Sequence, residues 1–260
     1  MIVDTQISPK QFQKFSSLVY SEAGILLNEN KFELLKARLA KRMRTLGITR
    51  VSDYIDLMDN NADEFMNFID AITTNHTFFF RENKHCDYII QTLEKRQPLK
   101  IWSAASSSGE EAYSLAVQLH DSGFKFSIYA SDISDSMLNL AVRAIYSMEK
   151  MKSVPLPILH RYFKKGHGKW QGHVQVKPEI RSLVQFGKYN LLSNQPFDLF
   201  DIIFCRNVMI YFDSPTKQRV IDNLQHSLKP GGHFFVGMSE SLQGLTHSLI
   251  PITPSGYRRK

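Results

Sequence analysis

Short apolar runs that alternate with helical segments are the feature that most constrains the fold of this chain, and they begin at Leu99. The runs LKIWSAA, KFSIYAS and DLFDIIFCR are typical of buried strands, and segments with apolar residues at helical spacing stand between them. Strands that alternate with helices indicate βαβ units, in which a mostly parallel sheet has helices on both faces. The sequence therefore predicts an α/β domain with a mostly parallel sheet.

Two segments of the chain depart from this alternation. Residues 1–80 have apolar residues at helical spacing and no strand-like pattern, so we predict a small N-terminal helical domain, followed by an α/β domain over residues 81–260. Within the second domain, residues of about 146–182 contain several prolines and glycines, and HVQVK alternates with period two. This pattern predicts a small antiparallel β-subdomain inserted between two strands of the main sheet.

The chain is basic, and its charge is unevenly distributed. Its 260 residues include 32 Lys and Arg against 25 Asp and Glu, a net charge of +7 that favours a negatively charged partner. Nucleic acid, anionic lipid and an acidic protein surface all fit that sign. The excess of positive charge lies in two segments, residues 31–50 and the insert. This placement outside the predicted parallel sheet weakens nucleic acid as the partner and favours docking on an acidic protein surface.

Cysteine count and hydropathy limit the compartment. Cys86 and Cys205 are too few for a disulfide scaffold or a cysteine metal site, and no apolar run reaches the ~20 residues that span a bilayer. The first residues lack the apolar region of a signal peptide. We therefore expect a cytoplasmic protein without membrane insertion. Because His160, His167 and His173 lie in the insert without acidic or cysteine partners nearby, we also expect no metal site.

The turn after the first strand carries the main chemical signal. Residues 104–109 read AASSSG, and their single glycine does not match the G-x-G-x-x-G fingerprint of dinucleotide sites. Glu110 and Glu111 follow at the predicted helix start, where they would repel a phosphate and suit a ligand with positive charge. Asp132 ends the next strand, 23 residues after Gly109, close to the spacing of the acid that binds ribose hydroxyls. These features favour S-adenosylmethionine, an adenosine-containing cofactor without phosphate.

Each of these acids also has a simpler interpretation. Glu110 and Glu111 could have no role beyond stabilising the helix, because acidic side chains in the first turn interact favourably with the helix dipole. Asp132 could be an ordinary residue at a strand end that caps the following helix.

Six motifs follow one another along the chain: ITTNHTFFFRE (72–82), IWSAASSSGEEAYSLA (101–116), ASDIS (130–134), NLL (190–192), FDLFDIIFCRNVMIYF (197–212) and LKPGGHFFVGMSE (228–240). In this order they resemble the CheR-type chemotaxis receptor methyltransferases, and the resemblance covers roughly residues 8–257. It implies a Rossmann-like S-adenosylmethionine-dependent methyltransferase fold. It also implies an enzyme that methylates glutamate side chains of receptors and releases S-adenosylhomocysteine.

The resemblance implies a set of site residues as well. Arg81 would bind a carboxylate of either the substrate or the cofactor, and Tyr211 would donate a hydrogen bond or line the methyl channel. From the residues alone, the alternatives are an interdomain salt bridge for Arg81 and a core position for Tyr211. The cofactor contacts carried over from the family are Asn75, Thr77, Arg81, Glu111, Asp132, Asn190, Leu191, Arg206 and Asn207.

Two receptor contacts complete what the resemblance implies. The basic residues Arg38, Lys41, Arg42 and Arg44 lie on one predicted helix and would dock on the acidic methylation helices of chemotaxis receptors, although a solvated helix face is the alternative. In some family members the β-subdomain also binds a receptor C-terminal peptide by strand addition, and residues 166–172 form a loop long enough for such a site. The alternative functions are an inactive cofactor-binding adaptor and a nucleic-acid methyltransferase.

Overall fold

The computed structural model describes residues 6–73, 75–194 and 198–260, which divide into two compact units. Of these described residues, the helical unit contains 6–73 together with Tyr211–Thr216, and the α/β unit contains the others. Residues 1–5 of the predicted helical domain, and Thr74 and Phe197 of two motifs, lie outside the described residues.

The helical unit is built from amphipathic helices with strong end signals. Ser8 and Gln11 form a capping box at the start of the first helix, and Gly24 ends that helix in the left-handed conformation. Gly47 ends the second helix in the same way. Phe15 and Phe68 are fully buried between the helices. In the part of the chain described here, the helices are α1 (Pro9–Ala23), α2 (Phe32–Leu46), α3 (Val51–Asn60) and α4 (Ala62–Ile72).

A buried carboxylate joins three of these helices. Glu64 on α4 is 4% exposed and accepts a hydrogen bond of 2.7 Å from the Tyr54 hydroxyl on α3. It also forms a bidentate ion pair with the Arg42 guanidinium on α2. A buried carboxylate needs a counter-ion and hydrogen bonds. The Arg42 guanidinium is therefore the counter-ion of Glu64 within the helical unit.

The α/β unit contains a mixed sheet with the order β6-β2-β1-β7-β8-β10-β9 among the described residues. The first five of these strands are parallel, whereas β10 runs antiparallel to both of its neighbours. The predicted Rossmann-like fold is confirmed. The strands of this sheet are β1 (Leu99–Ala104), β2 (Phe126–Asp132), β6 (Val184–Lys188), β7 (Phe200–Cys205), β8 (Leu228–Val236), β9 (Leu249–Thr253) and β10 (Gly256–Arg259).

Helices cover this sheet, and the core contains large apolar side chains such as Trp102, Phe204 and Phe235, each fully buried. Among the helices that the structure describes, none has the length and apolar character needed to cross a bilayer. The helices of this unit are α5 (Lys84–Thr92), α6 (Glu110–Asp121), α7 (Asp135–Arg143), α8 (Leu156–Tyr162), α9 (Pro178–Arg181) and α10 (Ser214–His226), the last of which begins in the helical unit.

The predicted β-subdomain is a small antiparallel sheet with the order β3-β5-β4. Its strands are β3 (Ile145–Ser147), β4 (Phe163–Lys165) and β5 (His173–Val176), so the alternating HVQV segment forms the central strand. Phe79 packs edge-on against Tyr146 at 4.9 Å and Phe163 at 5.4 Å between ring centroids. The β-subdomain therefore shares its core with the segment that begins the α/β unit.

Candidate functional site

The turn between β1 and α6 has an unusual backbone. Ala105, Ser107 and Gly109 have φ values of 62°, 50° and 91°. These values lie in the left-handed region, which residues other than glycine seldom adopt. The Ser106 N–H donates to the Ser131 carbonyl of β2 at 2.8 Å and fixes the turn to the sheet edge. Such strained turns concentrate at ligand sites, and this one lies at the carboxyl ends of parallel strands, where α/β folds bind ligands.

Gly109 is required here for space as well as for its backbone angle. A Cβ added at this position would lie 2.9 Å from the Ala141 Cβ and 3.1 Å from the Tyr146 hydroxyl. We expect Gly109→Ala to lower the free energy of unfolding by about 3 kcal/mol, because both strain and overlap are introduced. The matched control is Gly123→Ala, since Gly123 has a φ of 77° but nothing within 4 Å of an added Cβ.

Urea denaturation measures both variants. The control should lose only about 1 kcal/mol, the ordinary cost of a left-handed alanine. Equal losses in the two variants would mean that the turn tolerates a side chain at Gly109.

Asp132 lies at the end of β2 and faces this turn. It is 6% exposed, and its carboxylate accepts hydrogen bonds from the Ser107 N–H at 2.7 Å and the Ser134 N–H at 3.0 Å. The capping interaction at α7 comes from the Ser134 side chain, which accepts from the Met137 N–H. Asp132 thus fixes the turn at the carboxyl ends of the parallel strands.

Two further predicted contacts lie beside Asp132. The Tyr189 N–H donates to the Asp132 carbonyl at 3.1 Å, which places Asn190 and Leu191 next to the end of β2. The Asn190 side-chain oxygen accepts from the Leu192 N–H at 3.0 Å and shapes the loop locally. Leu191 is 8% exposed and adds an apolar side chain to this edge of the sheet.

The segment that begins the α/β unit reaches the same turn. The Asn75 carbonyl accepts a hydrogen bond from the Ser107 hydroxyl at 3.4 Å, and Thr77 is half-buried two residues further on. The structure therefore brings the Asn75 segment, the β1 turn, the end of β2 and the Asn190 loop to one edge of the sheet.

Glu110 and Glu111 have different environments despite being neighbours. Glu110 is fully buried and accepts from the Ser108 hydroxyl at 2.7 Å and the Lys150 ammonium at 2.5 Å. The Tyr146 hydroxyl donates to the Ser108 carbonyl at 2.7 Å, so Glu110 belongs to a contact between the turn and the β-subdomain. Its side chain is therefore occupied by structural partners, whereas Glu111 pairs with Arg206.

Arg206 is the centre of a hydrogen-bonded network after β7. Its Nε donates to the Glu111 carboxylate at 2.7 Å, and the Ser103 hydroxyl donates to the other oxygen of that carboxylate at 2.8 Å. Its terminal nitrogens donate to the Glu82 carbonyl at 3.0 Å and the Arg81 carbonyl at 3.3 Å. The Arg206 side chain is 4% exposed, so this network fixes the segment that carries Arg81.

Glu82 is a residue whose role was not predicted from the sequence. Its carboxylate accepts from the Asn207 side-chain amide at 3.1 Å and from the Met238 N–H at 3.1 Å. It also lies 3.8 Å from the Arg206 guanidinium. The only available signal was its position beside Arg81 in the first motif.

Arg81 has no ion-pair partner among the described residues. Its guanidinium donates to the His76 carbonyl at 3.1 Å and lies 5.4 Å from the centre of the Phe78 ring. The side chain is half-buried. A partly desolvated guanidinium held by its own segment, with no carboxylate neighbour in the ranges described, is suited to bind the carboxylate of a ligand.

Tyr211 belongs to the helical unit, where Lys31 contacts it. The Lys31 ammonium lies 5.4 Å from the centre of the Tyr211 ring, and the Tyr211 carbonyl accepts from the Leu26 N–H at 3.3 Å. Burial lowers the pKa of the Lys31 ammonium. Lys31 was not predicted as a site residue, although it begins the basic segment 31–50.

The basic face of α2 differs from the expectation at one position. Lys41 and Arg44 are exposed and Arg38 is half-buried, but Arg42 is held by Glu64. Because the charge of Arg42 is already neutralised by a buried partner, we omit it from the docking surface.

The fold and the turn together define a class of protein. An α/β sheet whose ligand edge has a serine-rich turn without the G-x-G-x-x-G fingerprint, with Glu111 after its first strand and Asp132 at the end of its second, is that of an S-adenosylmethionine-dependent methyltransferase. Asp132, Asn190 and Leu191 lie together at this edge of the sheet.

Comparison with known proteins identifies the family within this class. The model "CheR methyltransferase, all-alpha domain" matches residues 10–73, and "CheR methyltransferase, SAM binding domain" matches residues 75–255. A "Chemotaxis protein methyltransferase 2" of Pseudomonas aeruginosa is 38% identical over 95% of this chain and 92% of its own length. A "Chemotaxis protein methyltransferase" of Escherichia coli is 39% identical over 92% of this chain and 87% of its own length.

The chain belongs to the CheR methyltransferase family. The predicted family, the enzyme class and S-adenosylmethionine as the cofactor are thereby confirmed.

Proposed function

We propose that this enzyme transfers a methyl group from S-adenosylmethionine to glutamate side-chain carboxylates of chemotaxis receptors, which gives glutamate methyl esters. The observation that supports this most is Arg81, a half-buried guanidinium with no ion-pair partner among the residues described. A glutamate side chain, with an unperturbed pKa of about 4.3, is already ionised at neutral pH and needs no general base. The enzyme therefore has to orient and desolvate the carboxylate.

The chain's own residues divide this task. Asp132, Asn190 and Leu191 hold the nucleoside part of the cofactor, whose sulfonium supplies an electrophilic methyl group when it is bound. Arg81 fixes a carboxylate through two parallel N–H bonds, and the Arg206 network keeps the Arg81 segment in place. Such positioning can contribute up to roughly 7–11 kcal/mol to lowering the barrier of a displacement.

Mass spectrometry of a receptor after incubation with the enzyme and cofactor tests the proposed substrate. We expect receptor peptides that contain the modified glutamates to gain the mass of one methylene group. Receptors in which those glutamates are replaced by alanine should gain none. Methylation at lysine, arginine or nucleic acid instead would contradict the proposal.

We also propose that the reaction takes place in the cytoplasm. Cys86 and Cys205 are buried free thiols, and burial raises the pKa of the Cys86 thiol to about 12. Unpaired cysteines are usual in a reducing compartment such as the cytoplasm.

The basic face of α2 is the proposed docking surface for acidic receptor helices. We define it by Arg38, Lys41 and Arg44, which share positive charge and at least partial exposure. Charges at the rim of an interface act mainly on association rate and salt dependence.

We expect Lys41→Glu to lower kcat/KM for the receptor about fivefold at low salt, because the reversed charge repels an acidic partner. The loss should shrink as salt increases, since exposed charges are screened. Lys10→Glu is the matched control, because Lys10 is also an exposed lysine of the helical unit but lies on α1. Methylation assays at two salt concentrations measure both, and equal losses would remove α2 from the docking surface.

A receptor tail peptide is the second proposed partner. In the β-subdomain β4 is an edge strand, and its residues Lys164 and Lys165 are exposed. The Trp170 side chain is 43% exposed, with the Lys169 ammonium 5.8 Å from its ring centre. An edge strand beside basic and aromatic side chains suits an acidic peptide that adds as a further strand.

Calorimetry with receptor tail peptides checks this partner. We expect measurable binding heat for the enzyme and at least tenfold weaker binding for Trp170→Ala, because a large exposed aromatic contact is lost. Leu156→Ala, at a residue of the same insert that is 67% exposed, should bind normally. An absence of heat with every tail peptide would contradict the proposal.

A further inference from the structure

Glu240 is a buried carboxylate that accepts hydrogen bonds from backbone N–H groups. It is 8% exposed and lies beyond the end of β8, in a turn closed by the hydrogen bond of its own N–H to the Gly237 carbonyl at 2.8 Å. One carboxylate oxygen accepts from the Asn207 N–H and the Gly237 N–H, each at 2.7 Å. The other oxygen accepts from the Ile210 N–H at 3.2 Å.

These donors come from the two strand ends that meet at the cofactor edge. β7 and β8 are parallel neighbours, with Cys205 opposite Val236 as their last pair. The N–H groups of Asn207 and Gly237 therefore lie just beyond the ladder, where buried backbone donors need another acceptor. The Glu240 carboxylate supplies that acceptor to both and joins the two loops past the point where the sheet ends.

The backbone that Glu240 holds is strained. Asn207 has a φ of 61°, in the left-handed region, which is maintained only where surrounding contacts determine it. In this conformation the Asn207 side-chain amide donates to Glu82. A Cβ added to Gly237 would lie 2.5 Å from that amide nitrogen and 2.7 Å from the Glu240 carboxylate, so these groups are packed without spare room.

We propose that Glu240 is a positioning residue for the cofactor site, which acts through Asn207 by holding that residue in its left-handed conformation. The inference rests on the proposed role of Asn207 as a cofactor contact. Loss of the carboxylate leaves backbone N–H groups, those of Asn207, Gly237 and Ile210 among them, without their acceptor and lets the Arg206–Asn207 segment relax. The contacts of that segment with Glu82, and through it with Arg81, are then weakened.

Burial raises the pKa of Glu240, and its backbone donors oppose the rise. The hydrogen bonds fit the ionised form, because backbone N–H groups can donate to a carboxylate but cannot accept from it. Glutamine at this position keeps an oxygen that accepts from the Asn207 and Gly237 N–H groups. Its NH2 group faces the Ile210 N–H and cannot accept from it. It is therefore expected to preserve most of the function, whereas alanine preserves none of these bonds.

Calorimetric binding of S-adenosylhomocysteine to the full chain tests the inference. We expect Glu240→Ala to weaken binding about thirtyfold and Glu240→Gln only about threefold. We expect Asn207→Ala to weaken binding by about as much as Glu240→Ala. The double variant should then bind no worse than the weaker single variant, since residues that act through one another are not additive.

The matched control is Asp201→Asn at the other end of β7. The Asp201 carboxylate also accepts from a backbone N–H, that of Lys100 at 2.8 Å, and from the Lys229 ammonium at 2.8 Å. This variant should lose stability without losing affinity for S-adenosylhomocysteine. If Glu240→Ala does not fold, the glutamine variant and its double variant with Asn207→Ala carry the same comparison.

The outcomes separate the two levels of the claim. Unchanged binding by Asn207→Ala would overturn the proposed cofactor contact itself. Weakened binding by Asn207→Ala with normal binding by both Glu240 variants would overturn the role of Glu240 alone. Fully additive losses would also overturn it, because Glu240 would then act by a route that does not include Asn207.

Discussion

Replacement of Arg81 by alanine is expected to lower kcat/KM for receptor methylation about a thousandfold. The guanidinium is partly desolvated and has no ion-pair partner among the described residues, so a ligand carboxylate would supply its only close counter-ion. Removal of one member of a desolvated, hydrogen-bonded charge pair costs about 2–5 kcal/mol, and each 1.4 kcal/mol is about tenfold. Initial-rate assays with a receptor substrate measure the effect.

The loss should come without unfolding. Arg81 makes one backbone hydrogen bond and one ring contact within its own segment, so thermal denaturation should be nearly unchanged. Arg81→Lys should recover only part of the activity, because lysine lacks the planar fork that binds a carboxylate through two bonds. Arg96→Ala is the control, since Arg96 is an exposed arginine of the same unit. Near-normal turnover in Arg81→Ala would refute the assignment.

Replacement of Arg206 by methionine is expected to lower the free energy of unfolding by about 3–5 kcal/mol. The Arg206 side chain is 4% exposed, and its guanidinium is the counter-ion of the Glu111 carboxylate, whose side chain is 13% exposed. Removal of one partner leaves a buried charge without compensation, which is far costlier than removal of both. The backbone carbonyls of Arg81 and Glu82 would also lose their donors. Urea denaturation measures the loss.

A second variant separates the ion pair from simple packing. Arg206→Met combined with Glu111→Gln removes both charges, so it should be more stable than Arg206→Met alone. Both proteins should bind S-adenosylhomocysteine poorly, because each lacks residues of the proposed site. If the double variant were the less stable of the two, the charge of Glu111 would not be the source of the loss.

Short apolar runs predicted the central strands well, because a strand buried on both faces is apolar along its whole length. LKIWSAA, KFSIYAS and DLFDIIFCR became Leu99–Ala104, Phe126–Asp132 and Phe200–Cys205. The β9–β10 hairpin was not predicted, since β9 contains Pro251 and pairs only at the edge of the sheet. Pairing partners at such an edge leave little periodic signal.

The site shows the same division between local and distant information. Asp132 and Glu111 were predicted because strand ends and helix starts can be read from the sequence. The contacts of Glu82, Lys31 and Glu240 were not, because they join residues far apart in the chain. Glu82, for example, binds the Asn207 side chain 125 positions away. No local spacing records such a contact, and motif membership was the only trace of it.

The most direct test of the central claim is the chemical nature of the product. The enzyme would be incubated with S-adenosylmethionine carrying a labelled methyl group and with receptor-containing membranes, and the labelled protein would then be treated with base. Carboxyl methyl esters hydrolyse in base, so the account predicts that the label leaves the receptor as methanol. Label that survives base on the protein, or that appears in nucleic acid, would contradict it.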